Sequence, residues 1–247
     1  MSTPSTMPLS QCHNQPNIHS KDLNTHQVIE DFSIVKAHPS DSPDILKFML
    51  KDFLKTESLN AALGLTAEEA TEFFGDIIKC CFEDEAHNCN YLVRSKETNK
   101  IVGLRLACIL DRERGEESQA FSADQKEPPK VKEIKEILHS VESQTWNLVP
   151  KECNRLASWM VLSVDKDFGR RGIGQKLIEH NLDELREFGC QGIVTEASAF
   201  KSQQLFKKNG YSRPTEILHA HWKDMDGKQI FVCPDGTDRV TMEFKLL

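Results

Sequence analysis

The sequence lacks any long apolar run. None of its stretches approaches the roughly 18 apolar residues that a membrane-spanning helix needs. Its N-terminal stretch, MSTPSTMPLSQCHNQPNIHSKDLNTH, has neither the charged start nor the apolar centre of a secretory signal. We therefore expect a cytosolic protein that does not insert into a membrane.

Cysteines are sparse, and the 31 basic residues are outnumbered by 38 acidic ones. Eight cysteines in 247 residues are too few for a disulfide scaffold, so we expect them to be reduced. The cysteine and histidine cluster at 80–89 and the pair His219 and His221 lack the second ligand pair typical of zinc sites, and we expect no metal. The net charge of −7 argues against a nucleic-acid-binding protein and suits a cationic substrate.

The chain divides into a polar tail and one domain. Residues 1–30 are rich in Ser, Thr, Pro, Asn and Gln and have no apolar period, which predicts a disordered tail. Residues 31–247 fit a single domain of about 200 residues, for which we expect a monomer or a weak dimer. Within it, residues 111–130 are charged, contain two adjacent prolines and lack periodicity, and this predicts a flexible insertion.

Hydrophobic periodicity predicts the order β-α-α-β-β-α-β-α-β-α-β-β, a mixed α/β fold with a sheet of six or seven strands. Residues 156–164 form a nearly continuous apolar run, typical of a central strand covered on both faces. One helix is predicted from Ile173 to a C-terminal cap at Gly189. The predicted strands are 32–37, 90–94, 100–110, 156–164, 192–196, 216–222 and 239–244.

A glycine-rich turn follows the central strand, in VDKDFGRRGIGQKL. Free amides at a helix N-terminus bind anions, and glycine lets a phosphate approach closely. The glycines read G-x-x-G-x-G, which is not the dinucleotide pattern G-x-G-x-x-G, and Lys176 lacks the following Ser or Thr of a P-loop. NAD and ATP are therefore disfavoured, and a turn that only packs a helix against the sheet is the alternative.

The wider pattern LSVDKDFGRRGIGQKLIEH, with a later helix that ends in FKKNGY, resembles the acetyl-CoA site of the GNAT acetyltransferase superfamily. The resemblance spans roughly residues 31–247 in element order and is most specific over 156–211. It implies a mostly antiparallel sheet of six to seven strands, helices on both faces, a splayed central strand, and acetyl-CoA as co-substrate without a metal.

Within that superfamily the sequence is most similar to the invertebrate arylalkylamine N-acetyltransferases that acetylate dopamine or serotonin. The shared features are LSVD, a Glu-x-Leu-Asn stretch that begins at Glu57, and two serines four positions apart, Ser198 and Ser202. The resemblance implies that Glu57 is the general base, acting through water. It also implies that both serines lie near the amine and the thioester, and that the amine attacks directly in a ternary complex.

The resemblance also implies how acetyl-CoA is held. Free backbone groups of the splayed strand, at Leu162, Ser163 and Val164, would bind the pantetheine arm, and one amide would stabilise the thioester oxygen. The amides of the turn would bind the pyrophosphate, namely those of Arg170, Arg171, Gly172, Ile173, Gly174 and Gln175. Candidate aromatic contacts for the acceptor are Phe53, Phe73, Phe74 and Trp222.

Two positions depart from the family pattern. Gly169 and Arg170 look exchanged, so Arg170 must accept a backbone angle that glycine usually takes. Phe206 replaces the tyrosine that serves as general acid in many members, which leaves Ser202 as the candidate proton donor. These departures keep two alternatives open, a protein or peptide N-acetyltransferase and a non-catalytic acyl-CoA-binding protein.

Overall fold

The computed structural model describes Met1 and residues 31–114 and 127–247. The predicted disordered tail lies outside the described residues except for Met1. The predicted insertion at 111–130 is described only at its two ends, where Asp111 closes a strand and Pro129 opens a helix. No helix within the described ranges is long and apolar enough to cross a membrane.

The described residues form a seven-stranded sheet with the strands β1 Phe32–Lys36, β2 Tyr91–Ser95, β3 Ile101–Asp111, β4 Arg155–Val164, β5 Gly192–Ala197, β6 Ser212–Leu218 and β7 Arg239–Leu246. Their spatial order is β1-β2-β3-β4-β5-β7-β6. All neighbours are antiparallel except β4 and β5, which run parallel. The predicted mixed α/β class and the mostly antiparallel sheet are therefore confirmed.

Helices cover both faces of the sheet. Alternation along the strands sends Leu156 and Val194 into a core with helices that precede β4 in the chain, while Ala157 and Ile193 pack on the other face with helices that follow β4. The helices are α1 Ser42–Phe48, α2 Ser58–Leu63, α3 Ala67–Phe82, α4 Pro129–Glu142, α5 Thr145–Leu148, α6 Ile173–Glu179, α7 Leu182–Glu187 and α8 Phe200–Lys208. A π-helical segment, Met49–Phe53, and a last turn, Leu54–Thr56, extend α1.

The helix predicted from Ile173 to Gly189 is instead two helices, α6 and α7. Asn181, at φ 53°, separates them in the left-handed conformation that a helix interior does not contain. The buried Arg105 guanidinium explains the break, because it donates to the carbonyls of Leu177 at 2.6 Å and His180 at 3.0 Å. These carbonyls are thereby satisfied without a continuing helix.

The predicted late strand at 216–222 is shifted. β6 covers Ser212–Leu218, and a 3-10 turn, His219–His221, follows it. His219 therefore leaves the sheet and is buried against the ring of Phe231. No group of three or more His, Cys, Asp or Glu side chains in the described part of the chain is arranged to hold a metal ion.

The central strand β4 separates from β5. It pairs with β3 along its whole length, but it pairs with β5 only from Leu156 to Ser158. The hydroxyl of Thr195 then donates to the carbonyl of Trp159 at 2.9 Å, which closes the paired region. Among the described residues, no strand pairs with the β5-facing edge of β4 beyond that point. The predicted splayed central strand is confirmed.

Candidate active site

The open edge of β4 exposes the backbone of alternate residues. The amide of Asp165 donates to the carbonyl of Val102 at 2.9 Å, and antiparallel alternation then directs the backbone of Ser163 to Leu104 on β3. The backbone groups of Leu162 and Val164 therefore face the open edge. Of the three residues predicted to bind pantetheine, Ser163 is the one whose backbone groups face β3 and not the open edge.

The glycine turn connects this edge to α6. It passes from a 3-10 turn, Lys166–Phe168, through Gly169 to Ile173, where α6 begins. Arg170 has φ 61° and Gly172 has φ 75°, so both are left-handed, whereas Gly169 has φ −61°. The prediction that Arg170 adopts a glycine-like angle is confirmed. For a residue with a side chain this conformation costs about 1–2 kcal/mol.

The amides of residues 170–175 have no acceptor among the described residues. The first backbone bond back into the turn is donated by Lys176 to the carbonyl of Gly172, at 3.0 Å. These amides are the free donors of a helix N-terminus and can serve an anionic group. Gly174 brings the turn close to α8, since a Cβ there would lie 3.4 Å from Leu205.

The side chains of the turn have different surroundings. The guanidinium of Arg171 lies 5.2 Å from the ring centroid of Phe168. Ile173 is buried under the sheet, while the side-chain Nε2 of Gln175 donates to Asn209 Oδ1 at 3.1 Å. The turn therefore offers backbone donors in a fixed conformation, with one arginine held against an aromatic ring.

Glu57 is the N-cap of α2. Its carboxylate accepts hydrogen bonds from the amides of Leu59 at 2.9 Å and Asn60 at 2.7 Å, which satisfies two free donors of that helix. Only 9% of its surface is exposed. Burial raises the pKa of Glu57, while the hydrogen bonds from Leu59, Asn60 and Ser198 act to lower that pKa.

The structure brings Glu57 and Ser198 together. The hydroxyl of Ser198 donates to Glu57 Oε1 at 2.7 Å, although 141 positions separate the two residues. Ser198 follows β5 directly and is not a helix cap, because the N-cap of α8 is Ala199. The hydroxyl of Ser202 donates to the carbonyl of Ala199 at 2.7 Å, within the first turn of α8. Ser202 therefore does not join the Glu57 and Ser198 pair.

A cavity of about 50 Å³ lies beside this pair, at the point where β4 and β5 separate. It exceeds the roughly 10–15 Å³ that one water molecule needs. Of the predicted aromatic contacts, Phe53 and Phe73 line the cavity, whereas Phe74 and Trp222 do not. The lining residues are Phe53, Glu57, Asn60, Phe73, Ile77, Ile134, Leu138, Met160, Val161, Glu196 and Ser198.

Two polar atoms in this cavity wall have no hydrogen-bond partner among the described residues. They are the side-chain nitrogen of Asn60 and Oε1 of Glu196; both atoms are buried, although Glu196 as a whole is half-buried. Burial raises the pKa of Glu196 to about 7. Sequence reasoning missed Glu196, although strand alternation places it on the same face as the core residue Val194. A charged residue on an apolar strand face was the available signal.

Phe206 lies in the core on the opposite face of the sheet. It is 1% exposed, and its ring centroid is 4.9 Å from that of Tyr211. The hydroxyl of Tyr211 accepts a hydrogen bond from Trp159 Nε1 at 3.2 Å. Phe206 therefore packs as an apolar core residue, and it does not line the cavity that holds Glu57 and Ser198.

A family model described as the acetyltransferase (GNAT) family matches residues 56–211 of this chain. This range contains Glu57, the open edge of β4, the glycine turn and both serines.

Several solved structures share the fold. The apo form of a mutant agmatine N-acetyltransferase superposes with a TM-score of 0.72 at 19% identity, covering 88% of this chain and 100% of that one. A polyamine N-acetyltransferase of Drosophila melanogaster that forms N-acetylagmatine gives 0.71 at 18% identity, over 88% and 100%. Arylalkylamine N-acetyltransferase 2 of Aedes aegypti gives 0.66 at 21% identity, over 87% and 98%. At these identities the likeness shows the fold.

Proposed function

Because this chain belongs to the acetyltransferase (GNAT) family and is an acyltransferase, we propose that it transfers the acetyl group of acetyl-CoA to the primary amine of a small molecule. The observation that carries the proposal is the 2.7 Å hydrogen bond between Ser198 and Glu57 in the wall of a cavity at the splay of β4 and β5. The proposal is supported by the buried Glu57 carboxylate lying beside Met160 and Val161, which directly precede the open edge of β4.

Acetyl-CoA supplies an activated acetyl group, and the chain has backbone donors suited to holding it. The amides of residues 170–175 would bind its pyrophosphate, and the backbone groups of Leu162 and Val164 on the open edge would bind its extended arm. An amide on that edge also suits the thioester oxygen, because a fixed donor stabilises the negative charge that develops there.

Glu57 would act as the general base. An amine is mostly protonated at neutral pH, so it must lose a proton before it can attack. Because burial raises the pKa of Glu57, its carboxylate is a stronger proton acceptor than an exposed glutamate. The cavity has room for a water molecule that would relay the proton, and the Ser198 hydroxyl holds the carboxylate in place.

Ser202 is the proposed source of the proton for the departing thiolate. Its hydroxyl donates to the Ala199 carbonyl, so this role requires a rotation about its χ1 angle. The amine would attack the thioester directly in a ternary complex with acetyl-CoA. Phe53 and Phe73 in the cavity wall make an arylalkylamine the first acceptor to test.

We further propose that residues 31–247 form one catalytic domain that works in the cytosol as a monomer or weak dimer. The testing experiment is a thiol-release assay with acetyl-CoA across arylalkylamines, polyamines, amino acids and peptides. Turnover of peptides but not of small amines would favour a protein or peptide N-acetyltransferase. Calorimetric binding of acetyl-CoA without any thiol release would favour a non-catalytic acyl-CoA-binding protein.

A further inference from the structure

The cavity beside Glu57 contains a second carboxylate, that of Glu196. Glu57 is already held by two backbone amides and the Ser198 hydroxyl. Oε1 of Glu196, by contrast, is buried and accepts no hydrogen bond from the described residues. The two carboxylates in this cavity therefore differ in how their negative charge is stabilised, because Glu57 has three hydrogen-bond donors and Oε1 of Glu196 has none among the described residues.

Among the residues that the structure describes, the lining of the cavity contains no positively charged side chain. Its polar members are Glu57, Asn60, Glu196 and Ser198, and the remaining lining residues are apolar. A buried carboxylate without a counter-charge is unstable, and it is stabilised by a proton or by a cation. A cavity whose described lining has two carboxylates and no lysine, arginine or histidine is therefore complementary to a cationic ligand.

One positive charge on the acceptor does not account for both carboxylates. The amine that reacts must give up its proton, and in the proposed function Glu57 receives that proton. After this step the reacting nitrogen is neutral and no longer matches a second carboxylate. Glu196 takes no part in this proton transfer, and its carboxylate therefore suits a positive charge that stays on the acceptor.

We propose that Glu196 binds a second positively charged group of the acceptor, so that the preferred acceptor is a diamine or an amine with a guanidinium group. This inference rests on the proposed function, because it takes the site beside Glu57 as the acceptor site. The apolar side chains of Phe73, Ile77 and Leu138 in the same wall suit an alkyl or aryl spacer between the two charges.

The test uses pairs of acceptors that differ only at the second charge. Cadaverine and hexylamine form an alkyl pair in which a methyl group replaces the terminal ammonium. Para-xylylenediamine and para-ethylbenzylamine form the equivalent aryl pair. We expect the full-length enzyme to show a kcat/KM about tenfold or more higher for each diamine than for its partner, as expected for a charge-assisted hydrogen bond.

The variant Glu196→Gln keeps the shape of the side chain and removes its charge. We expect it to lose about tenfold in kcat/KM on the diamines while kcat/KM on the monoamines stays within about twofold. Glu187→Gln is the matched control, since Glu187 is an exposed glutamate on α7, and it should change neither value. Equal losses on both members of a pair, or no diamine preference in the wild type, would overturn the proposal.

A binding measurement separates this inference from the proposed function. We expect cadaverine to raise the melting temperature of the wild type and not that of Glu196→Gln, whether or not acetyl transfer occurs. Protection without thiol release would support the cation site and contradict the proposed enzyme activity. Thiol release from monoamines and diamines alike, without selective protection, would support the activity and contradict the role of Glu196.

Discussion

The hydroxyl of Ser58 donates to Oδ2 of Asp235 at 2.8 Å, across 177 positions of the chain. Ser58 opens α2 directly after Glu57, and Asp235 lies in the segment before β7. The same carboxylate oxygen accepts from Thr237 Oγ1 at 2.8 Å, and that hydroxyl oxygen accepts from the amide of Phe200 at 2.8 Å. This chain of hydrogen bonds connects α2, the helix that Glu57 caps, to the start of α8.

Asp235 should therefore position Glu57 relative to Ser198 without contacting the acceptor. We expect Asp235→Ala to lower kcat about tenfold, because small displacements of a catalytic group are costly, and to leave the KM for acetyl-CoA unchanged. Steady-state kinetics with the preferred amine would measure both values. Asp235→Asn keeps an oxygen acceptor and should recover most of kcat.

Asp226→Ala is the control for this prediction. Asp226 is an exposed aspartate in the turn before Phe231 and has no described contact with α2. Its replacement should leave kcat and KM unchanged. If Asp235→Ala instead raised the acetyl-CoA KM as strongly as it lowered kcat, the connection between the helices would not be its main role.

Glu57→Gln should lower kcat by roughly 10²–10⁴-fold, the usual contribution of a positioned general base. Acetyl-CoA affinity should stay nearly unchanged, because this carboxylate acts on the amine. Burial raises the pKa of Glu57 above the ordinary glutamate value of 4.5. Because only the deprotonated carboxylate can act as a base, wild-type kcat/KM should rise as pH increases through this raised pKa. That rise should be missing in Glu57→Gln, and an unaltered kcat would remove Glu57 from the mechanism.

Much of the fold follows from local pattern. The apolar run of β4 and the alternation of its neighbours were sufficient to predict the seven strands in their order along the chain, whereas the short helices α2 and α5 were not predicted as separate helices. The break between α6 and α7 was not predictable, because its cause is the side chain of Arg105. That guanidinium binds carbonyls of Cys89, Leu177 and His180, which come from separate segments. Hydrophobic periodicity contains no information about such a partner.

The site divides in the same way. Glu57 and Ser198 could be predicted as site residues because each belongs to a short motif, and the resemblance to a known family implies that both motifs contribute to one site. Asp235 and Glu196 belong to no motif that sequence reasoning identified. Their importance depends on tertiary contacts. Asp235 accepts a hydrogen bond from Ser58, and Glu196 shares a cavity with Glu57. Residues of this kind are recognised from burial and hydrogen bonding.

Glu196 should also make stability depend on pH. Its pKa rises from 4.5 in the unfolded chain to about 7 in the folded protein. Between these values the folded state holds more protons than the unfolded state, so stability falls as pH rises from about 4.5 to 7. The loss should be on the order of 1–2 kcal/mol, after a discount for partial exposure.

Thermal melts of the wild type and Glu196→Gln over this pH range would measure the effect. The variant has no titrating group at this position, so its melting temperature should exceed that of the wild type by a few degrees at pH 7. At pH 4 the two should melt together. A constant difference across the range would mean that the substitution acts through packing.

Arg170 and Arg171 allow the backbone of the glycine turn to be tested apart from its charge. Arg170→Gly and Arg171→Gly each remove one positive charge from the turn. Arg170 is left-handed at φ 61°, so Arg170→Gly relieves about 1–2 kcal/mol of strain against about 0.5–1 kcal/mol of added chain entropy. Arg171 is not left-handed, and its replacement loses the contact with the Phe168 ring.

We therefore expect Arg170→Gly to melt at the wild-type temperature or slightly above it, and Arg171→Gly to melt lower. Calorimetric titration with acetyl-CoA should show equal or tighter binding for Arg170→Gly than for Arg171→Gly, because the shared loss of charge cancels in this comparison. If Arg170→Gly bound acetyl-CoA more weakly than Arg171→Gly, the Arg170 side chain itself would hold the phosphates. The free amides of the turn would then not be the main anion site.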